Sequence, residues 1–184
     1  GWDVPLAPLF NKAAELLGVS ETERSELVSQ VQTFFIQRLK NIYLDRNLPH
    51  QVVELLLSRN DMTVVSNEGL AEAIMDNRIY ENTELLQAYT RMYNLVKTVE
   101  YSEVATSLLQ DAAEKNLYEA AVEAYTQSQD AYMAEDYATV VRLPETLVPA
   151  INDFFETVMV MDKDEQVKNN RLQLVRLAYE VMAV

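Results

Sequence analysis

The chain of 184 residues has no cysteine, three glycines, five prolines and one histidine, His50. Without cysteine there is no disulfide and no thiolate metal site, and a lone histidine cannot assemble a zinc set, so no metal is expected. The lack of thiols also fits a reducing, cytoplasmic compartment. Few glycines and prolines leave few turn-makers, which disfavours a sandwich or barrel and favours long helices. No apolar run approaches the roughly 20 residues that cross a bilayer, so no membrane partner is expected. No signal peptide is evident, and Gly1-Trp2 without a Met reads as an artificial start. Glycine-rich phosphate loops and nucleophile elbows are missing as well, and no catalytic residue is assigned.

What is present is apolar content and acid. Hydrophobic residues make up 49% of the chain, which argues against disorder, and the formal net charge is -14. The acid is unevenly placed. Residues 1–60 carry 6 basic and 7 acidic side chains, whereas residues 101–162 carry 2 and 12. The plain reading of the acidic segment is a solvated face. Basic surface remains available towards the two ends.

Helical periodicity runs through the sequence. Leu6 to Leu17 forms a stripe ending at Gly18. Ser20-Glu21-Thr22-Glu23 reads as a capping box opening a helix to about Arg46, with Leu27, Val28, Val31, Phe34, Phe35, Leu39 and Ile42 inward. Pro49 starts a helix to Arg59. Val64-Val65 has strand character before a helical run to Ile74. Glu81 to Thr98 is amphipathic: Leu85, Leu86, Tyr89, Met92, Tyr93 and Val96 face the core, and Gln87, Arg91, Asn94 and Thr98 the other side. Ser102 is placed to cap a short helix to Leu109. Asp111 to Met133 is helical, with Tyr125 among its inward residues. Glu135 to Arg142 gives a further turn or two. Pro144 opens a helix carrying Leu147, Ile151, Phe154, Phe155, Val158 and Met159. An acidic turn, Asp162 to Glu165, precedes a last helix with Val167, Leu174, Val175, Ala178 and Met182. The fold class is therefore all-α, a single bundle of about seven to nine helices, divided into an N-terminal helix over 1–19 packed on the bundle and a helical domain over 20–184.

Three basic groupings are candidates for RNA contact: Arg38, Lys40 and Arg46; Arg91 and Lys97 with Asn94; and Lys168 near Lys163. Ordinary helix-surface charge is the competing explanation. Asn170 and Arg171 fall within the apolar arc of the last helix, which suggests a buried polar pair, with Asp153 or Glu156 as partner. Asp162 to Glu165 lacks the glycine and distal glutamate of a calcium loop.

The run PAINDFFETVMVM, followed by DEQVKNNRLQLV, resembles the C-terminal end of the β subunit of bacterial-type glycyl-tRNA synthetases. There a Pro-Ala block with Phe-Phe and Val-Met-Val-Met precedes an acidic turn and an Asn-Arg-Leu-x-Leu helix. Pro149, Phe154, Phe155, Val158, Met159, Val160, Met161, Asn170, Arg171 and Leu172 fit that pattern. VQTFFIQRLKNIYLDRNLPHQVVELLL, YTRMYNLVK and EKNLYEAA are similar to further parts, with Thr90 in place of a Lys. The resemblance implies a DALR-like helical anticodon-binding domain with no cofactor of its own, in a ligase that uses ATP and Mg²⁺ elsewhere. It implies tRNA-Gly, the rest of the β subunit and the α subunit as partners, and no DNA. Glycine codons begin GG, so the anticodons to be read share two cytosines. The alternative is a non-catalytic helical docking module for subunit assembly.

Overall fold

A computed structural model describes residues 4–57 and 63–182. Among them are eight α-helices, two single-turn 3₁₀ helices and no strand. They fall into two compact units, Gly1–Asp76 and Asn77–Val184. The sequence places no boundary there. It lies at a polar junction, Asp76-Asn77-Arg78, where Arg78 takes a left-handed backbone (φ 51°) and neither neighbouring helix can continue.

The first unit holds α1 (Leu6–Leu16), α2 (Glu21–Asp45), α3 (His50–Leu57) and α4 (Val64–Asp76), each packed on the next. Gly18 ends α1 at φ 76°, with Val19 N–H bonded to Ala14 O and Gly18 N–H to Glu15 O. This is the double bond pattern of a glycine C-cap. Asn47 (φ 64°) ends α2 in the same way. The Ser20 capping box does not form, because Ser20 Oγ donates to the Glu23 carboxylate at 2.6 Å and caps no backbone. Val64-Val65 is the first turn of α4 rather than a strand, and the expected end of α3 at Arg59 lies outside the described residues, as does Gly1-Trp2. On α2 only Val28, Leu39 and Tyr43 are buried; Leu27, Phe34, Phe35 and Ile42 are exposed. Its apolar residues go nearly all the way round, so one wall of neighbours cannot cover them.

The second unit holds α5 (Thr83–Val96), α6 (Ala112–Met133), α7 (Tyr137–Thr157) and α8 (Glu165–Met182). α6 packs along α7 and α8, and α5 closes the bundle against α7 and α8. The core is continuous through Leu85, Met92, Leu117, Ile151, Phe154 and Leu174. α7 is one helix from Tyr137, not a short turn followed by a helix at Pro144; Pro144 and Pro149 both lie inside it. Asp136 caps it, accepting from Thr139 N–H at 3.1 Å. Residues 97–111, expected to include a helix from Ser102, form an irregular connection with a single 3₁₀ turn at Thr106–Leu108. Met159 lies beyond the end of α7 and is exposed, and Leu86, Tyr93 and Tyr125 are also exposed. Asp164 begins α8, accepting from Gln166 N–H at 2.8 Å and Val167 N–H at 3.3 Å, the place where a carboxylate favours a helix start.

Candidate nucleic-acid interface

α5 buries Leu85, Ala88, Met92 and Val96 on one side. At about 100° per residue, Tyr93, Lys97, Thr90, Asn94, Gln87 and Arg91 sweep the opposite side, and all six are exposed. From Leu85 to Val99 there is no Asp or Glu, in a chain with net charge -14. The arc is flanked by aromatics. On the α7 side the Arg91 guanidinium lies over the Phe155 ring, 4.6 Å from its centroid. On the α8 side Tyr89, Tyr93 and Tyr179 cluster with centroids 5.3 to 6.4 Å apart, and the Tyr89 and Tyr179 hydroxyls are 3.2 Å from each other. Burial pushes the Tyr179 hydroxyl pKa up, as does its contact with Tyr89. A helix face of amide, hydroxyl and guanidinium groups, with no acid from Leu85 to Val99 and Glu84 at its N-terminal edge, suits phosphate and sugar contact, and aromatic flanks suit unpaired bases.

Arg91, Asn94 and Lys97 therefore share one face. Lys168, in the same unit, is held by Glu165 at 2.6 Å and is less free to meet phosphate. Arg38, Lys40 and Arg46 belong to the other unit. Arg46 is ion-paired with Glu68, and Lys40 lies 3.7 Å from Glu54. Arg38 is exposed with no ion pair among the described residues.

Asn170 and Arg171 have a different role. The Arg171 side chain is 5% exposed and occupies the junction of three segments. Nε donates to Glu114 at 2.6 Å, one Nη to Asp162 at 2.7 Å and to the Met159 carbonyl at 3.0 Å, the other to Asp111 at 3.3 Å. Glu114 is fully buried and also accepts the N–H groups of Gln110 and Asp111 at 2.6 and 2.8 Å. Burial alone would raise the Glu114 pKa, but Arg171 and the two backbone donors outweigh it and hold the carboxyl below its usual range. Burial likewise opposes charge on Arg171, and the Glu114 and Asp162 carboxylates reverse the effect. Neither Asp153 nor Glu156, the partners suggested by sequence, takes part; both lie exposed on α7. Asn170 instead clamps the backbone of Ala105, accepting its N–H at 2.7 Å and donating to its carbonyl at 3.1 Å.

Sequence reasoning missed Gln173, Arg176 and Glu114. Gln173 and Arg176 bind the backbone of residues 96–102, and the available signal was their i, i+3 spacing after Asn170. For Glu114 the signal was Asp111-x-x-Glu114 at a helix start.

A family model described as the DALR anticodon binding domain matches residues 85–184. The chain is 33% identical over 178 residues to the glycine–tRNA ligase beta subunit of Geotalea daltonii, covering 96% of this chain and 26% of that protein. It is 29% identical over 181 residues to the beta subunit from Clostridioides difficile, covering 97% and 26%. For that of Shewanella pealeana the identity is 33%, covering 92% and 25%. The chain thus spans about a quarter of the length of the curated relatives it matches.

Proposed function

This chain belongs to the DALR anticodon-binding domain family, and from that premise we propose that it holds the anticodon stem-loop of glycine tRNA for a glycine–tRNA ligase. The names of its relatives suggest the amino acid, and the acid-free stretch of α5 from Leu85 onward suggests the surface. In this reading the chain is part of a β subunit working with an α subunit in the cytoplasm. Glycine activation, with its ATP and Mg²⁺, takes place outside this segment. Arg91 and Lys97 neutralise phosphates, Asn94, Gln87 and Thr90 add neutral hydrogen bonds, and the domain contributes affinity and identity rather than chemistry.

The observation that carries this reading is the position of Arg91, exposed in the stretch of α5 from Leu85 onward that has no acid, with its guanidinium over Phe155. Arg91→Ala lowers affinity for glycine tRNA and reduces the slope of log K against log salt by roughly one unit. Its melting temperature stays near the parent's, because an exposed cation–π contact contributes only about 0.5–1 kcal/mol. Filter binding across a salt series and a thermal melt measure both. Unchanged affinity in Arg91→Ala and Lys97→Ala alike would move the RNA face away from α5.

One observation favours a second reading, helical docking. The first unit leaves Phe34 66% exposed on α2, with Leu27, Phe35 and Ile42 of the same helix exposed as well. The two readings concern different units and separate experimentally. Glutamate in place of Phe34 would weaken assembly with the rest of a synthetase and leave tRNA affinity intact.

A further inference from the structure

The row Asn170, Gln173, Arg176 and Tyr179 along α8 holds the segment that follows α5, and the two run antiparallel. Tyr179 meets Tyr89 and Tyr93. Arg176 donates to the carbonyls of Val96 and Val99 at 3.4 and 3.3 Å. Gln173 donates to the Glu100 carbonyl at 2.9 Å and accepts from Ser102 N–H at 2.8 Å. Asn170 does the same for Ala105. The two amide side chains bind this backbone as a neighbouring strand would. A connection the length of residues 97–111 with only one 3₁₀ turn is unusual in a compact domain unless it is functional, and α8 holds the first part of this one at Val99, Glu100, Ser102 and Ala105.

Pinning has a consequence for Tyr101. In extended backbone the N–H and C=O groups of successive residues point to opposite edges. Gln173 takes up the Glu100 carbonyl and the Ser102 N–H, the groups that flank Tyr101, and leaves the N–H and C=O of Tyr101 itself outside these bonds. Among the described residues neither has a partner, and the Tyr101 side of the strap carries the most exposed aromatic of this unit, at 62%. We infer that Tyr101 is a base-reading residue. Its ring stacks on one unpaired base, and its N–H and C=O meet the Watson–Crick edge of a neighbouring one. This rests on the anticodon-binding reading and gives it a reading element. An N–H beside a C=O fits a base with a ring acceptor beside an amino group; among pyrimidines that is cytosine, with N3 and N4–H₂. In the same orientation uracil exchanges donor and acceptor, so both protein groups would face like partners. The strap reads the base only because α8 fixes its edge before RNA arrives, so little ordering entropy is lost on binding.

The test is equilibrium binding of the whole chain to a glycine tRNA transcript and to transcripts in which each anticodon cytosine is changed to uracil. The parent prefers cytosine by about tenfold or more, the cost of two mismatched polar groups. Tyr101→Ala weakens binding to the cytosine transcript roughly tenfold, as loss of one base stack does. Tyr101→Phe keeps parent affinity, and Tyr101→Pro, which lacks the N–H, loses the preference for cytosine. Tyr101→Ala is an exposed change and decides the matter even if Tyr101→Pro melts early. If the parent discriminates and Tyr101→Ala matches it in affinity and preference, the strap assignment is wrong and anticodon reading stands. If the parent binds uracil and cytosine transcripts equally, both fall.

Discussion

Arg171→Ala lowers the stability of the second unit by about 3–5 kcal/mol, the cost of leaving a buried charge without its partner. The stranded group is Glu114, fully buried and bonded to Arg171 Nε at 2.6 Å. Arg171 also joins the 158–162 turn, through the Met159 carbonyl and Asp162, to the start of α6, so its loss unties that turn from α6. Arg171→Lys recovers only part of the loss, because one ammonium cannot reproduce a planar fork that meets four acceptors. Glu114→Gln on the Arg171→Ala background restores part of the stability by removing the unpaired charge. Urea melts of the two single variants and the double variant measure this coupling. A double variant no more stable than Arg171→Ala would show that Glu114 is neutralised or hydrated in another way.

The same node sets an acid limit. Glu114 and Asp162 both have carboxyls held below their usual pKa, Glu114 against the effect of its burial and Asp162 chiefly by the Asp164 N–H. A carboxylate with a depressed folded-state pKa contributes stability that is fully present above its unfolded value and is lost as pH falls through the folded one. Stability should therefore be flat from neutral pH down to about 5 and fall below the ordinary carboxylate range near 4. Arg171→Ala should flatten that fall, since its partner carboxylates lose the cation that depresses them. Melting temperature against pH for parent and variant checks the sign.

Phe154→Ala costs about 3–5 kcal/mol, the usual price of removing a fully buried phenyl ring. Its neighbour behaves differently. Phe155 is only partly buried and carries Arg91 on its face, so Phe155→Ala costs less stability and instead releases the guanidinium from its resting position. Glycine-tRNA affinity should fall in Phe155→Ala with the charge count unchanged, and the salt slope should stay near the parent's, unlike Arg91→Ala. A Phe155→Ala protein that binds as the parent does would show that stacking does not orient Arg91.

The sequence by itself determined most of the helices and the family resemblance. Helical periodicity, scarce glycine and proline, and the Val-Met-Val-Met to Asn-Arg-Leu run are local properties, and Gly18 ends α1 where only a residue free to take positive φ sits easily. Tertiary structure decided what distance along the chain conceals. Asn47 and Glu135 end α2 and α6 with the same left-handed geometry as Gly18; asparagine, like glycine, takes that backbone readily, and only the glutamate gives no sign of it in the sequence. Pro144 looked like a helix start and lies within α7, since flanking contacts with α6 and the Asp136 cap hold the turn around it. Arg171 could be placed in an apolar stripe from spacing alone, but its partner is 57 positions away at Glu114, and no helical period links residues on different helices. The strap follows the same logic: the row along α8 has a period of three, while the backbone it grips has no period of its own, so only the packing of α8 beside residues 96–105 brings the two into register.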